Sequence, residues 1–259
     1  MQVLLSKHIH LLLKILFISL LMYSCSSESK KPKTAIKETV VHIQKENLKK
    51  EVKKPTLQEI KDSLLAQIPK KELLIKDIIN HKNVKSFFLD YGKKNPETKL
   101  LLKTRLGNIH ITLYKETPLH RASFIYLIKN GYYNKTCFHR IVKDFIIQGG
   151  WSEKTIVDTY RIQLNNYKLP PEFRDGITHK RGALSATRRW VNNPGKKSNP
   201  FEFFIIQTKL DCSHLDGEHT VFGQVTKGLD VIDKIIDVKL DGHSEWPEVD
   251  VNIEFEILG

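Results

Sequence analysis

In the stretch from Phe138 to Gly150, FHRIVKDFIIQGG, one arginine and one glutamine stand among apolar side chains. If Lys143, Asp144 and Phe145 form a three-residue hairpin loop, Val142 pairs with Ile146, and Arg140 lies across from Gln148 on the same sheet face. A guanidinium steadied by a neighbouring amide is then set in a mostly apolar wall. Such an arrangement can aim hydrogen-bond donors at a weakly polar group in a groove poor in water. The same residues, taken alone, also suit a surface arginine on an ordinary hairpin.

Other chemistries find less support. The eleven His show no metal-ligand spacing, and GEH around His219 is not a zinc motif, so no metal or cofactor is expected. No phosphate loop and no internal repeat is visible. Besides Cys25 there are Cys137 and Cys212, which suit either a disulfide in an oxidising compartment or a pair of buried thiols. The net charge of +13 is concentrated in residues 1–96, which carry 19 Lys and no Arg against 9 acidic residues. A Lys-rich, Arg-free extension with few aromatics suits a solvated tether near an anionic membrane, and nucleic-acid binding is not expected.

The elements that must position Arg140 follow from the apolar spacing. Residues 1–24 carry Lys7 and Lys14 and then the apolar run Ile15 to Tyr23, too short for a stable transmembrane helix and matching the core of an export signal. Ser24 and Cys25 close that run in a way that resembles the lipobox of bacterial lipoproteins, which implies cleavage before Cys25 and a lipid on its thiol. Residues 25–55, rich in Lys, Glu, Ser and Thr, read as a flexible tether. Leu57, Ile60, Leu64, Leu65 and Ile68 recur at helical spacing behind a capping box of Thr56 and Glu59, and Leu73, Leu74, Ile78 and Ile79 repeat the pattern. A third helical piece, Val84 to Tyr91, should end at Gly92. This extension, residues 56–96, could cover the following domain, bind a partner or pair with another copy.

From residue 97 the pattern is mainly β. Leu100 to Lys103 and Gly107 to Tyr114 read as a hairpin. Thr117 as cap, Pro118 at the first helical position and Gly131 after the last turn delimit a helix. Residues 151–179 read as a polar loop marked by Pro170 and Pro171. Short strands follow at Gly182 to Ala186, Phe203 to Gln207 and Thr220 to Val225, then a helix from Leu229 to Ile236 and a last alternating strand, Val251 to Leu258, that closes the sheet. Many short strands with a helix at each end argue for a closed antiparallel barrel.

FHRIVKDFIIQGG, together with GALSATR from Gly182, FEFFI from Phe201 and HLDGEHTVFGQV from His214, resembles the cyclophilin peptidylprolyl isomerases over residues 97–259. The resemblance implies a mainly β, closed, eight-stranded antiparallel barrel capped by two helices, and catalysis of X-Pro rotation in proline-containing polypeptides without a cofactor. It implies that Arg140 is the catalytic donor and Gln148 its support. Phe145, Ile146, Phe204 and Leu215 match the apolar walls of the proline pocket, with His219 at its rim. Four groove positions depart from the family pattern. Glu202 replaces a common Gln, with a salt bridge to Arg140 or an altered hold on the substrate backbone as consequences. His214 stands where Trp is frequent, and Thr187 and Arg188 where an Ala-Asn pair is frequent, adding bulk where residues preceding proline would lie. Trp151 follows the two glycines where Asp is usual. The expectation is an isomerase in the cell envelope, anchored to the membrane through Cys25. A proline-peptide binding module in which Glu202 ties up Arg140, and a structural lipoprotein whose helices are the active part, are the competing readings.

Overall fold

Strand β1 (Lys99–Thr104) turns at Arg105 and Leu106 into β2 (Gly107–Leu113), pairing Lys99 with Thr112 and Thr104 with Gly107. The turn is tight because the Thr104 hydroxyl donates to the Gly107 carbonyl at 2.9 Å and accepts the Leu106 N–H at 3.1 Å. This hairpin belongs to a computed structural model that describes residues 77–258 together with Thr56, Glu59, Ile60 and Ser63. The expected export signal, the tether, Cys25 and most of the first two helical repeats lie outside the described residues.

Further strands are β3 (Cys137–Val142), β4 (Ile146–Trp151), β5 (Ala183–Arg188), β6 (Ser198–Ile206), β7 (Val221–Lys227), β8 (Val251–Asn252) and β9 (Glu254–Leu258). They form one antiparallel sheet in the order β8-β3-β4-β6-β5-β7-β2-β1-β9. Its two ends are one stretch of chain interrupted at Ile253, where Val251 pairs with Phe138 and Leu258 with Lys99. The sheet therefore rolls into a nearly closed barrel, with eight strands if that broken segment counts as one. The interruption has a local cause: Ile253 is buried against Gly149, and its N–H goes to the Thr136 carbonyl at 3.1 Å.

Alternation along the strands divides the barrel into an inner and an outer apolar layer. Phe203, Ile205, Ile147 and Ile141 join the main core, in which Phe124, Tyr133, Phe203 and Phe255 pack at ring separations of 4.6–5.9 Å. Their neighbours Phe204, Ile206 and Ile146 point the other way and, with Leu215, build a smaller cluster on the outer face.

Four helices accompany the barrel among the described residues: α1 (Val84–Lys94), α2 (Pro118–Lys129), α3 (Thr155–Gln163) and α4 (Leu229–Ile236). Helix α2 begins at Pro118 as expected and is followed by Gly131 at φ +70°, a conformation glycine adopts without cost. Thr117, however, makes no side-chain cap. Glu172, 52 residues away from His120 in the chain, accepts the Leu119 and His120 N–H groups at 3.1 and 2.9 Å, so the cap comes from the long loop.

The structure corrects three further expectations. Helix α1 runs through Gly92 to Lys94 because that glycine is a contact point: a Cβ there would stand 3.1 Å from Ala122 of α2. Asp77 to Asn80 are not helical, and Ile79 is buried while Ile78 is exposed. Helix α3 occupies part of the stretch read as loop; its few buried residues, Val157, Thr159 and Tyr160, leave little helical signal in the sequence. The Thr56 and Glu59 capping box does form, with Thr56 N to Glu59 Oε2 at 2.6 Å and Glu59 N to Thr56 Oγ1 at 3.2 Å. Of the roles left open for the third helical piece, α1 packs on α2, placing Phe87, Phe88 and Tyr91 around Tyr126. Cys137 and Cys212 are free, buried thiols. No helix among the described residues is long and apolar enough to cross a membrane.

Candidate active site

A three-residue loop of Lys143, Asp144 and Phe145, with Asp144 at φ +55°, joins β3 to β4 and sets Val142 against Ile146 and Arg140 against Gln148. The register expected from loop length is thus the observed one. Outside the barrel at this point lies a groove of about 850 Å³. Arg140 and Gln148 line it together with Phe145, Ile146, Phe204, Leu215 and His219, and with Thr187, Arg188 and Glu202. Of the expected groove residues only His214 is absent from the lining: it is exposed and stacks on Phe145 at 5.9 Å.

Arg140 is held from two sides. Gln148 Oε1 accepts from Nη1 at a long 3.5 Å, and Glu245, on the loop after α4, accepts from Nε at 2.5 Å and from Nη2 at 3.4 Å. The loop is pinned there because the Ile141 N–H donates to the Glu245 carbonyl at 2.8 Å and Trp246 packs on His139 and Trp151. Of the five N–H hydrogens of a guanidinium, these three contacts leave two for a ligand.

Glu202 does not bridge to Arg140. Its Oε1 accepts from Arg161 at 2.9 Å and Asn199 at 3.0 Å, and its Oε2 accepts from Gln148 Nε2 at 3.0 Å. Arg161 comes from α3, the helix absent from the sequence reading, which is why its claim on Glu202 was not foreseen. Gly150 makes this geometry possible. It sits at φ +98°, and a Cβ would collide with the Phe201 carbonyl beside Glu202.

The apolar end of the groove is closely packed. Phe204, Ile146 and Leu215 are nearly buried, and His219 stands edge-on to Phe204 at 5.3 Å. Burial, only partly opposed by the Ala186 carbonyl, pushes the His219 imidazole down to about 4, so it is neutral at pH 7. Its Nδ1 lies 3.0 Å from that carbonyl, which can only accept, so the proton is on Nδ1. Behind Phe204 lies His179, stacked at 6.0 Å and bound to Asp216 at 2.6 Å and Ser185 at 3.0 Å. This has the layout of a Ser-His-Asp triad, as His120 with Glu172 and Ser198 has of a Ser-His-Glu one. Both serines are buried, Ser185 completely so with its hydroxyl also donating to Thr220, and both sets act as struts.

Thr187 and Arg188 line the other end. The Thr187 hydroxyl reaches the Glu202 carbonyl at 3.4 Å, while Arg188 is turned aside, ion-paired to Glu218 and stacked on Trp190 at 4.1 Å. Trp190, whose ring stands 5.3 Å from that of His219, and Arg189, Lys168, Asn166 and Asn199 also line the groove and were missed in the sequence reading. Glu245 was missed as well. The RRW run before a Gly- and Pro-containing turn was the one available hint; the rest reach the groove from distant loops.

This arrangement offers positioned hydrogen-bond donors beside an apolar pocket. Residues 99–256 match the family model described as cyclophilin type peptidyl-prolyl cis-trans isomerase/CLD. The chain is 35% identical over 143 residues to a peptidyl-prolyl cis-trans isomerase of Acinetobacter baylyi, covering 54% of this chain and 73% of that protein. It is 37% identical over 139 residues to one of Helicobacter pylori, covering 52% and 77%. In structure it is similar to a cyclophilin type peptidyl-prolyl cis-trans isomerase of Cryptosporidium parvum, with a TM-score of 0.53 and 24% identity over 63% of this chain and 98% of that one, a likeness of fold.

Proposed function

The chain belongs to the cyclophilin-type peptidyl-prolyl cis-trans isomerases, and from that premise we propose that it is the exported, lipid-anchored isomerase that its leader implies, using Arg140 to turn X-Pro bonds of proteins folding outside the cytoplasm. Rotation about an X-Pro amide faces a barrier of roughly 18–20 kcal/mol because nitrogen shares its lone pair with the carbonyl. In the twisted transition state that sharing is lost, and the lone pair localises on the prolyl nitrogen. A donor aimed at that nitrogen binds the twisted form more tightly than either planar isomer, which is what lowers the barrier. Arg140 supplies the donor from its two uncommitted N–H groups. Gln148 and Glu245 limit the guanidinium's rotamers, so less order must be imposed on it in the transition state. Phe145, Ile146, Phe204 and Leu215 receive the pyrrolidine ring, and neutral His219 closes the rim without adding charge to an apolar pocket.

The observation that carries the reading is the placement of Arg140 and Gln148 opposite each other at the edge of that pocket. The reading in which Glu202 silences Arg140 is not supported, since Glu202 is engaged by Arg161. The test of the site is NMR exchange on a proline peptide with the full chain. Accelerated cis-trans exchange that a competing proline peptide suppresses is the expected result; exchange at the uncatalysed rate would refute it. For the anchor, the Cys25→Ser variant should no longer incorporate a palmitate analogue in cells and should leave the membrane fraction or remain uncleaved. Label on the Ser variant would remove Cys25 as the attachment point.

A further inference from the structure

Five cationic side chains stand in or beside the groove, and the structure pairs three of them with carboxylates: Arg140 with Glu245, Arg188 with Glu218 and Arg161 with Glu202. Lys168 and Arg189 have no ion pair among the described residues. Both line the groove, Lys168 beside Asn199, which pairs with Thr187, and Arg189 two positions after Thr187 in the chain. Lys168 reaches it from the loop after α3. Its ammonium is half-buried, and its one hydrogen bond among the described residues goes to Asn199 Oδ1 at 3.3 Å. Asn199, which faces Thr187 in the strand pairing, gives its own amide hydrogens to Glu202. Arg189 follows Arg188 at the end of β5 and is exposed.

We propose that Lys168 and Arg189, with Asn199 between Lys168 and Glu202, form a carboxylate-binding subsite that makes this isomerase prefer X-Pro segments carrying Asp or Glu on the amino-terminal side of the bond. The inference rests on the groove reading above, in which proline enters the Phe204 pocket and the preceding residues cross Thr187. A half-buried ammonium is costly without a counter-charge. Burial first, then the positive charges of Arg161 and Arg189, push the Lys168 pKa down, and Glu202 opposes this only in part. A substrate carboxylate placed between Lys168 and Arg189 relieves both burial and repulsion. A substrate lysine there meets two cations that have no ion pair among the described residues. Arg188 adds little to the preference, because Glu218 already answers its charge.

The test is the full chain with blocked peptides Xaa-Ala-Pro-Phe in which Xaa is Glu, Ala or Lys, with kcat/KM read by NMR exchange at low and moderate salt. For groups this exposed, each ion pair is worth about 1 kcal/mol or less, so the Glu peptide should exceed the Lys peptide about five- to tenfold. The ratio should shrink as salt is added. In Arg189→Gln, an exposed substitution, it should fall by about half on a logarithmic scale, and in Lys168→Met with Arg189→Gln it should approach one. Equal turnover of the Glu and Lys peptides by the unaltered chain overturns the subsite and leaves the groove reading standing. A preference that persists in the double variant overturns the assignment to these two residues. Failure to turn over any of the three peptides overturns the groove reading, and the subsite with it.

Discussion

Arg140 is about two-fifths exposed, with Glu245 and Gln148 on either side. Its replacement by Ala removes the only donor that the reading places at the prolyl nitrogen. The loss of one such donor typically costs about 3 kcal/mol of transition-state stabilisation, so kcat/KM should fall about a hundredfold while the melting temperature barely changes. A folded Arg140→Ala protein with normal turnover would end the mechanism. Glu202 calls for the opposite pattern. Its carboxylate and Arg161 are less than one-fifth exposed, between the regimes of surface pairs and buried ones, and it also accepts from Asn199 and Gln148. Glu202→Gln should therefore lower stability by about 2 kcal/mol, read as a shift in urea midpoint. It should bring no gain in catalytic efficiency, because no carboxylate is lifted from Arg140. A clear gain in efficiency would mean that Glu202 restrains the guanidinium after all.

Among the elements, α1 has the least obvious claim to belong with the barrel. Its Phe88 is fully buried, at 5.8 Å from the Tyr126 ring and 5.2 Å from the Tyr167 ring. Arg121 of α2 ties the end of α1 by donating to the carbonyls of Gly92 at 2.9 Å and Asn95 at 2.8 Å, where a helix leaves acceptors unsatisfied. Phe88→Ala should cost about 3–4 kcal/mol, a cavity effect, measurable by chemical denaturation. A change below 1 kcal/mol would mean that α1 detaches readily.

At the scale of the whole fold, three imidazoles among the described residues share one sign. Burial lowers the pKa of His139, His179 and His219, the last to about 4, against an ordinary value near 6.5. The unfolded chain thus takes up protons on these groups at a pH where the folded chain still refuses them. Stability is complete above about pH 6.5 and is lost as pH falls, for His219 progressively down to about 4, where its share reaches about 3 kcal/mol. The carboxylates of Glu97 and Asp233, held below their usual range despite burial by Lys129 and by Arg181 respectively, extend the loss to lower pH. Calorimetry from pH 7.5 to 4.5 should show a steadily falling melting temperature. A melting temperature constant between pH 7 and 5 would contradict the buried neutral histidines.

What the sequence determined by itself was local. A three-residue loop sets hairpin register, so Arg140 opposite Gln148 followed from counting. Proline and glycine delimit helices by restricting or freeing φ, so Pro118 and Gly131 marked the boundaries of α2. The tertiary structure alone decided which charged groups meet. Glu172 caps α2 from 52 residues away, Arg161 takes Glu202 from 41, and Glu245 reaches Arg140 from 105. Such pairs leave no periodic trace, because a carboxylate's partner is fixed by where the barrel's curvature brings two loops together, and one unanticipated nine-residue helix was enough to give Glu202 a different cation from the one its neighbours in the motif suggested.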